Sequence, residues 1–139
     1  MLSENQIDLI RQSAEKLAES NVAMTNAFYS HLFSDVPAVR PLFPDDMFGQ
    51  SQKLWQSIVM VVESADDLGG IQTALRQLGA KHVNYGADED HYIIVSDVML
   101  ETISALMGDD WTADHHIAWQ AALDAVCATM LEGAAVHGE

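Results

Sequence analysis

Apolar residues recur along the chain at the three-to-four-residue spacing of amphipathic helices. Ser3 and Gln6 have the form of a capping box, and Ile7, Ile10, Ala14 and Leu17 then follow at helical spacing. A second apolar stretch runs from Val22 to Phe33, and Pro37 suits the first turn of a short helix ending near Phe43. Pro44-Asp45-Asp46 reads as a turn and helix start. A long helix follows to about Glu63 or Ser64, where Asp66-Asp67 and Gly69-Gly70 break the pattern. Ile71 begins another helix, ending near Asn84 and Gly86, residues suited to a left-handed cap. Asp88, Glu89 and Asp90 stand at the positive end of the next helix, which runs to Met107 and stops at Gly108. Thr112 caps a last helix reaching about Ala135. There is no strand alternation, repeat or linker. The pattern predicts one all-α domain over residues 1–139, with about seven helices of unequal length packed at crossing angles.

Three polar residues interrupt the apolar stripes. Ile71, Leu75, Leu78 and His82 share one helix face, so His82 points where its helix points its core residues. Gln50 opens a stripe continued by Leu54, Ile58 and Val61. Val22, Tyr29 and Phe33 line up with Leu32 adjacent. Each has an ordinary reading: a hydrogen-bonded core histidine, a solvated amide at a helix end, a core tyrosine with a satisfied hydroxyl. Taken together, a His, a Gln and a Tyr from three helices describe a cavity with one nitrogen ligand and two hydrogen-bond donors. No cysteine or carboxylate joins His82 at metal-ligand spacing, as zinc or di-iron would require. Haem needs only one protein ligand, because its macrocycle supplies four nitrogens.

Composition narrows the classes. Of 139 residues, 49% are hydrophobic and 19% charged, which excludes disordered and coiled-coil chains. With 21 acidic residues against 6 basic ones, the formal charge is −15, and such a surface repels phosphate backbones and anionic headgroups. Nucleic-acid and membrane-surface binding are therefore not expected. The acidity leaves room for a basic redox partner. The apolar run Ile58 to Val62 is far too short to span a membrane. Cys127 is the single cysteine and reads as a small core residue, and the N-terminus lacks the pattern of a signal peptide. A soluble, cytoplasmic protein is expected. His91 among Asp88, Glu89 and Asp90, and the pair His115-His116, read as solvated helix starts, while Asp66-Asp67 and Asp109-Asp110 read as turns.

At these same positions the sequence resembles the bacterial single-domain globins and the globin domain of flavohaemoglobins. The resemblance rests on Phe28-Tyr29-Ser30-His31-Leu32-Phe33, Val39-Arg40-Pro41-Leu42-Phe43, Gln50 to Leu54, Leu78 to Gly86, His91-Tyr92 and Ala118-Trp119, in family order. It implies a globin-like fold enclosing a pocket for haem b (iron protoporphyrin IX). His82 would be the proximal iron ligand and Phe43 the aromatic against the haem face. Tyr29 and Gln50 would be the distal pair and Leu54 the wall beside them. Lys53 would reach a propionate, while Leu78, Ala87, Tyr92, Val95, Met99, Trp119 and Leu123 would complete the lining. One departure stands out. Flavohaemoglobins carry a Glu on the last helix that contacts the proximal His and a Tyr. The count from Ala118-Trp119 puts Ala134 there, with Glu132 about 200° away around the helix.

The implied function is reversible O₂ binding at a five-coordinate ferrous iron, for storage, scavenging or transport, with CO and NO as further ligands. Two donors to a negatively polarised ligand slow its release. The alternative is nitric oxide dioxygenation with electrons from a separate reductase, since no flavin or nicotinamide domain is visible in these residues. A gas sensor is disfavoured because no output domain is apparent, and an acidic helical protein without haem is the residual possibility.

Overall fold

The computed structural model describes residues 2–84 and 88–137, and every regular element among them is helical. Six α-helices run α1 (Glu4–Ala18), α2 (Asn21–Asp35), α3 (Phe48–Glu63), α4 (Gln72–Asn84), α5 (Glu89–Met107) and α6 (Ala113–His137). Short 3₁₀ turns at Pro37–Leu42, Leu68–Ile71 and Gly108–Asp110 link them, so the short helix begun by Pro37 is of the tighter kind. Gly86, expected to cap α4, lies outside the described residues.

Local chemistry explains the boundaries. The Ser3 hydroxyl accepts from Gln6 N at 3.1 Å while Gln6 Oε1 accepts from Ser3 N at 2.9 Å, a complete capping box. Asp88 and His91 repeat it at α5, with the imidazole in place of the amide. Thr112 and His115 do the same at α6, where Thr112 N donates to His115 Nδ1 at 3.2 Å and Thr112 Oγ1 accepts from His115 N at 3.3 Å. His115 is therefore not the solvated residue expected: it is buried, because completing the cap turns its ring under the chain. Gly108, at φ 57°, stops α5. Two cations stitch helix ends to α1. Arg11 donates to the Glu63 carbonyl at 3.0 Å, and Lys16 donates to the Met107 carbonyl at 3.3 Å and to Asp110 at 2.6 Å. Both meet carbonyls that a helix C-terminus leaves without partners.

The main core joins Ile10 and Leu17, Met24, Phe28 and Leu32, Val98 and Ile103, and Ala118, Trp119 and Ala122. Within it the Trp119 indole donates to the fully buried Ser13 hydroxyl at 2.8 Å, tying α6 to α1. Val22 departs from the predicted stripe. It is exposed in the first turn of α2, and the buried face of the helix is Met24, Thr25, Phe28, Tyr29 and Leu32 instead. A second, smaller cluster of Leu75, Tyr92 and Met130 gathers Ile71, Leu78 and Cys127 between α4 and α6.

These last two helices cross at backbone contact. A Cβ on Gly79 would overlap the Met130 carbonyl, and one on Gly133 would overlap the Arg76 carbonyl. Glycine is required at both because neither backbone can yield.

Gly79→Ala should therefore destabilise the fold by about 1–3 kcal/mol, read as a lowered urea midpoint, the overlap outweighing alanine's better helix propensity. Gly49→Ala, where the added carbon meets open space, should be neutral or mildly stabilising. Burial and the nearby Asp124 push the Cys127 thiol up to about 11. Its alkylation at pH 8 should be about a hundredfold slower in the folded protein than in urea, because the thiolate is the nucleophile.

Candidate functional site

The polar residues singled out on α2 and α3 meet. Tyr29, one turn before Phe33 on α2, is buried at 6% exposure, and Gln50, in the first turn of α3, donates from Nε2 to its hydroxyl oxygen at 3.3 Å. This bond uses a lone pair of the hydroxyl and leaves its proton to be donated elsewhere. Burial pushes the Tyr29 hydroxyl above the ordinary tyrosine range, and the Gln50 bond offsets only part of that, so the group is a neutral donor at neutral pH.

Three aromatic rings fix the tyrosine: Phe28 edge-on at 5.1 Å between centroids, Phe33 stacked at 5.8 Å and Phe43 edge-on at 5.6 Å. Phe43 and Phe33 themselves meet edge-on at 5.3 Å. Arg40 organises this corner. Its guanidinium lies 5.0 Å from the Phe33 centroid and donates to the carbonyls of Phe43, Pro44 and Asp45 at 3.3, 3.0 and 3.2 Å. It thereby holds the turn between the 3₁₀ segment and α3 that presents Phe43 and Gln50. Sequence reasoning did not assign Arg40 this work. The available signal was one of only 6 basic residues standing next to Pro41.

His82 lies half-buried on α4. Its Nδ1–H donates to the Leu78 carbonyl one turn earlier at 2.7 Å, which in the neutral ring selects the tautomer with its lone pair on Nε2. Tyr92 packs beside it, ring centroids 6.2 Å apart. Burial raises the Tyr92 hydroxyl above its usual range, with the Cys127 thiolate charge a smaller cause. The hydroxyls of Tyr92 and Ser96, one turn apart on α5, are both buried and have no hydrogen-bond partner among the described residues. Ser96 left no trace in the periodicity because its position reads as an ordinary small residue. Glu132 is exposed and pairs with Arg76 at 3.2 Å, in keeping with the expectation that it does not stand in for a carboxylate beside His82.

The remaining residues divide between the two clusters. Leu78 joins Tyr92 in the smaller one. Leu54, Val95 and Leu123 are half-buried at the margin of the main core, as is Phe43, whereas Met99 and Trp119 are buried within it. Lys53 is exposed, and Ala87 lies outside the described residues. Among the described residues no helix is long and apolar enough to cross a membrane.

Comparison with known proteins agrees with this arrangement. Residues 26–130 match the sequence model of the globin family. A flavohemoprotein of Vibrio cholerae is 29% identical over 125 residues, covering 88% of this chain and 32% of that protein. The chain thus spans about a third of the length of the curated relatives it matches. Among solved structures, a bacterial globin from Campylobacter jejuni superposes with a TM-score of 0.85 at 25% identity, covering 96% of each chain. A carbene transferase engineered from a candidate nitric oxide dioxygenase of Rhodothermus marinus superposes at 0.86 with 27% identity, covering 97% of this chain and 94% of that one. By its sequence and by the crossing of its helices, this chain belongs to the globin family of haem-binding proteins.

Proposed function

We propose that this chain holds haem b through His82 and binds O₂ reversibly, with Tyr29 and Gln50 donating hydrogen bonds to the ligand. The observation that carries this reading is the buried Tyr29–Gln50 pair, whose hydroxyl proton is not consumed by the bond between them. The donor set fits the cofactor. One imidazole with its lone pair on Nε2 is the ligation a macrocycle leaves for the protein to supply. Half-buried Phe43, Leu54, Val95 and Leu123 offer apolar surface to the flat ring, backed by Met99 and Trp119. Leu78 and Tyr92 support the imidazole, and the exposed Lys53 amine is available to a propionate. When bound, haem supplies a ferrous iron with one position open to a diatomic ligand.

The protein's own part is then orientation and charge. The Leu78 carbonyl holds the imidazole ring through a neutral acceptor, which leaves the ring less basic than a carboxylate partner would. That favours reversible ligand binding over redox activation. The Tyr29 hydroxyl and Gln50 amide place positive dipoles toward a ligand that accumulates negative charge, and each such bond contributes about 1.5–3 kcal/mol.

A second reading is nitric oxide dioxygenation, conversion of NO and O₂ to nitrate with electrons from a separate reductase. The likeness to the Rhodothermus marinus protein favours it, and the same distal pair serves it. Nitrate yield from NO and O₂ in the presence of an added reductase and NADH distinguishes the two.

His82→Ala should abolish stoichiometric haem retention, with added imidazole restoring part of the five-coordinate spectrum. An unchanged spectrum and haem content would remove His82 from the role. Tyr29→Phe keeps the ring and deletes the hydroxyl, so stopped-flow O₂ dissociation should accelerate about ten- to a hundredfold. CO release should change far less, because bound CO carries little charge on its oxygen. Gln50→Leu should act in the same direction, and the double variant should be non-additive, since the two side chains already bond one another. An O₂ rate within about twofold of wild type in Tyr29→Phe would reduce Tyr29 to a packed core residue.

A further inference from the structure

Away from the Tyr29–Gln50 pair and His82, three metal-ligating side chains converge where α2 lies against α5. His31 and Asp35 are one turn apart on the same face of α2, and Glu101 faces them from α5. His31 Nε2 stands 3.1 Å from Asp35 Oδ2 and 3.0 Å from Glu101 Oε2, and the three ligand atoms all lie within 4.8 Å of one another. We propose that His31, Asp35 and Glu101 bind one divalent transition-metal cation of the zinc type, which clamps α2 to α5.

The spacing of the imidazole from each carboxylate is that of a coordination sphere. Bonds of about 2.0–2.2 Å from a cation to nitrogen and oxygen, at angles between octahedral and tetrahedral, set neighbouring donors about 3.0–3.4 Å apart. The two separations from the imidazole fall within that range, and the two carboxylate oxygens lie within 4.8 Å of each other on exposed side chains. An ion-pair reading accounts for the cluster less well. One imidazole N–H points along a single direction and cannot be well aligned with two carboxylates at once. Two carboxylates beside one imidazole also leave the cluster net negative in either protonation state of the ring, in a chain of formal charge −15. A divalent cation neutralises it.

The donor set selects the cation. An imidazole ligand favours zinc and its neighbours over magnesium and calcium, which prefer all-oxygen shells. Three protein ligands on half-exposed side chains leave at least one position for water. Other histidines are committed elsewhere, His91 to the Asp88 cap and His115 to Thr112. The competing arrangement is His116, which shares a surface groove with Glu101. Tyr29 lies two residues before His31, on the other side of α2, so a clamp here stiffens the helix that carries it without touching the hydroxyl.

The experiment uses the haem-loaded protein, dialysed against EDTA and then against chelator-free buffer. Calorimetric titration with ZnCl₂ should give one tight site per chain, weakened about tenfold or more by His31→Gln and by Glu101→Gln and unchanged by His116→Gln. Zinc at saturating concentration should raise the unfolding midpoint of the wild type by about 3 °C or more and leave that of His31→Gln unmoved. Equal zinc affinity in wild type and His31→Gln, or loss of the site in His116→Gln in place of His31→Gln, would overturn the assignment. A midpoint rise with MgCl₂ equal to that with ZnCl₂ would overturn the class of cation.

Discussion

The close crossing of α4 and α6 is the constraint on which the other arrangements depend. Gly79 and Gly133 let two backbones touch, so α4 lies flat on α6 instead of being held off by side chains. His82 comes one turn after Gly79, and its ring is set beside Tyr92 by the depth of that contact. The apolar stripe of α4 cannot then enter the main core. It builds a second cluster with Tyr92 and Met130, leaving His82 on one body of packed side chains and the Tyr29–Gln50 pair on another. A globin needs such a division, since a flat cofactor must be gripped from two sides.

Charge is distributed with the same economy. An acidic chain with 6 basic residues places four of them at junctions. Arg11 and Lys16 close the C-terminal ends of α3 and α5 against α1, Arg40 ties the turn before α3, and Arg76 pairs with Glu132 across the α4–α6 crossing. The first three donate to backbone carbonyls, which keep their value where surface ion pairs are screened. The carboxylates left over are mostly surface groups, and where two of them gather around His31 the excess becomes a place for a cation.

Buried polar groups mark the two bodies differently. Around Tyr29 the hydroxyl, the Gln50 amide and three aromatic rings form a closed, oriented group. Around Tyr92 and Ser96 two buried hydroxyls are without partners among the described residues.

Helix identity and most boundaries were legible in the sequence because they depend on local chemistry. The Ser3–Gln6 box, the stripe of α4 and the stop at Gly108 act within a few residues of themselves. The inward aim of Tyr29, Gln50 and His82 was legible for the same reason, since helical periodicity fixes which face a residue occupies. Periodicity does not say what a face meets. Only the tertiary structure decided that Tyr29 and Gln50 bond each other across 21 positions, that Trp119 reaches Ser13 across 106, and that Arg40 spans a ring and three carbonyls. It also brought Glu101 to His31, because that meeting depends on the angle at which α5 crosses α2. A crossing angle is set by the side chains of both partners at the contact, as between α4 and α6 by two glycines 54 positions apart (Gly79 and Gly133), and a pattern read along one helix holds only half of it.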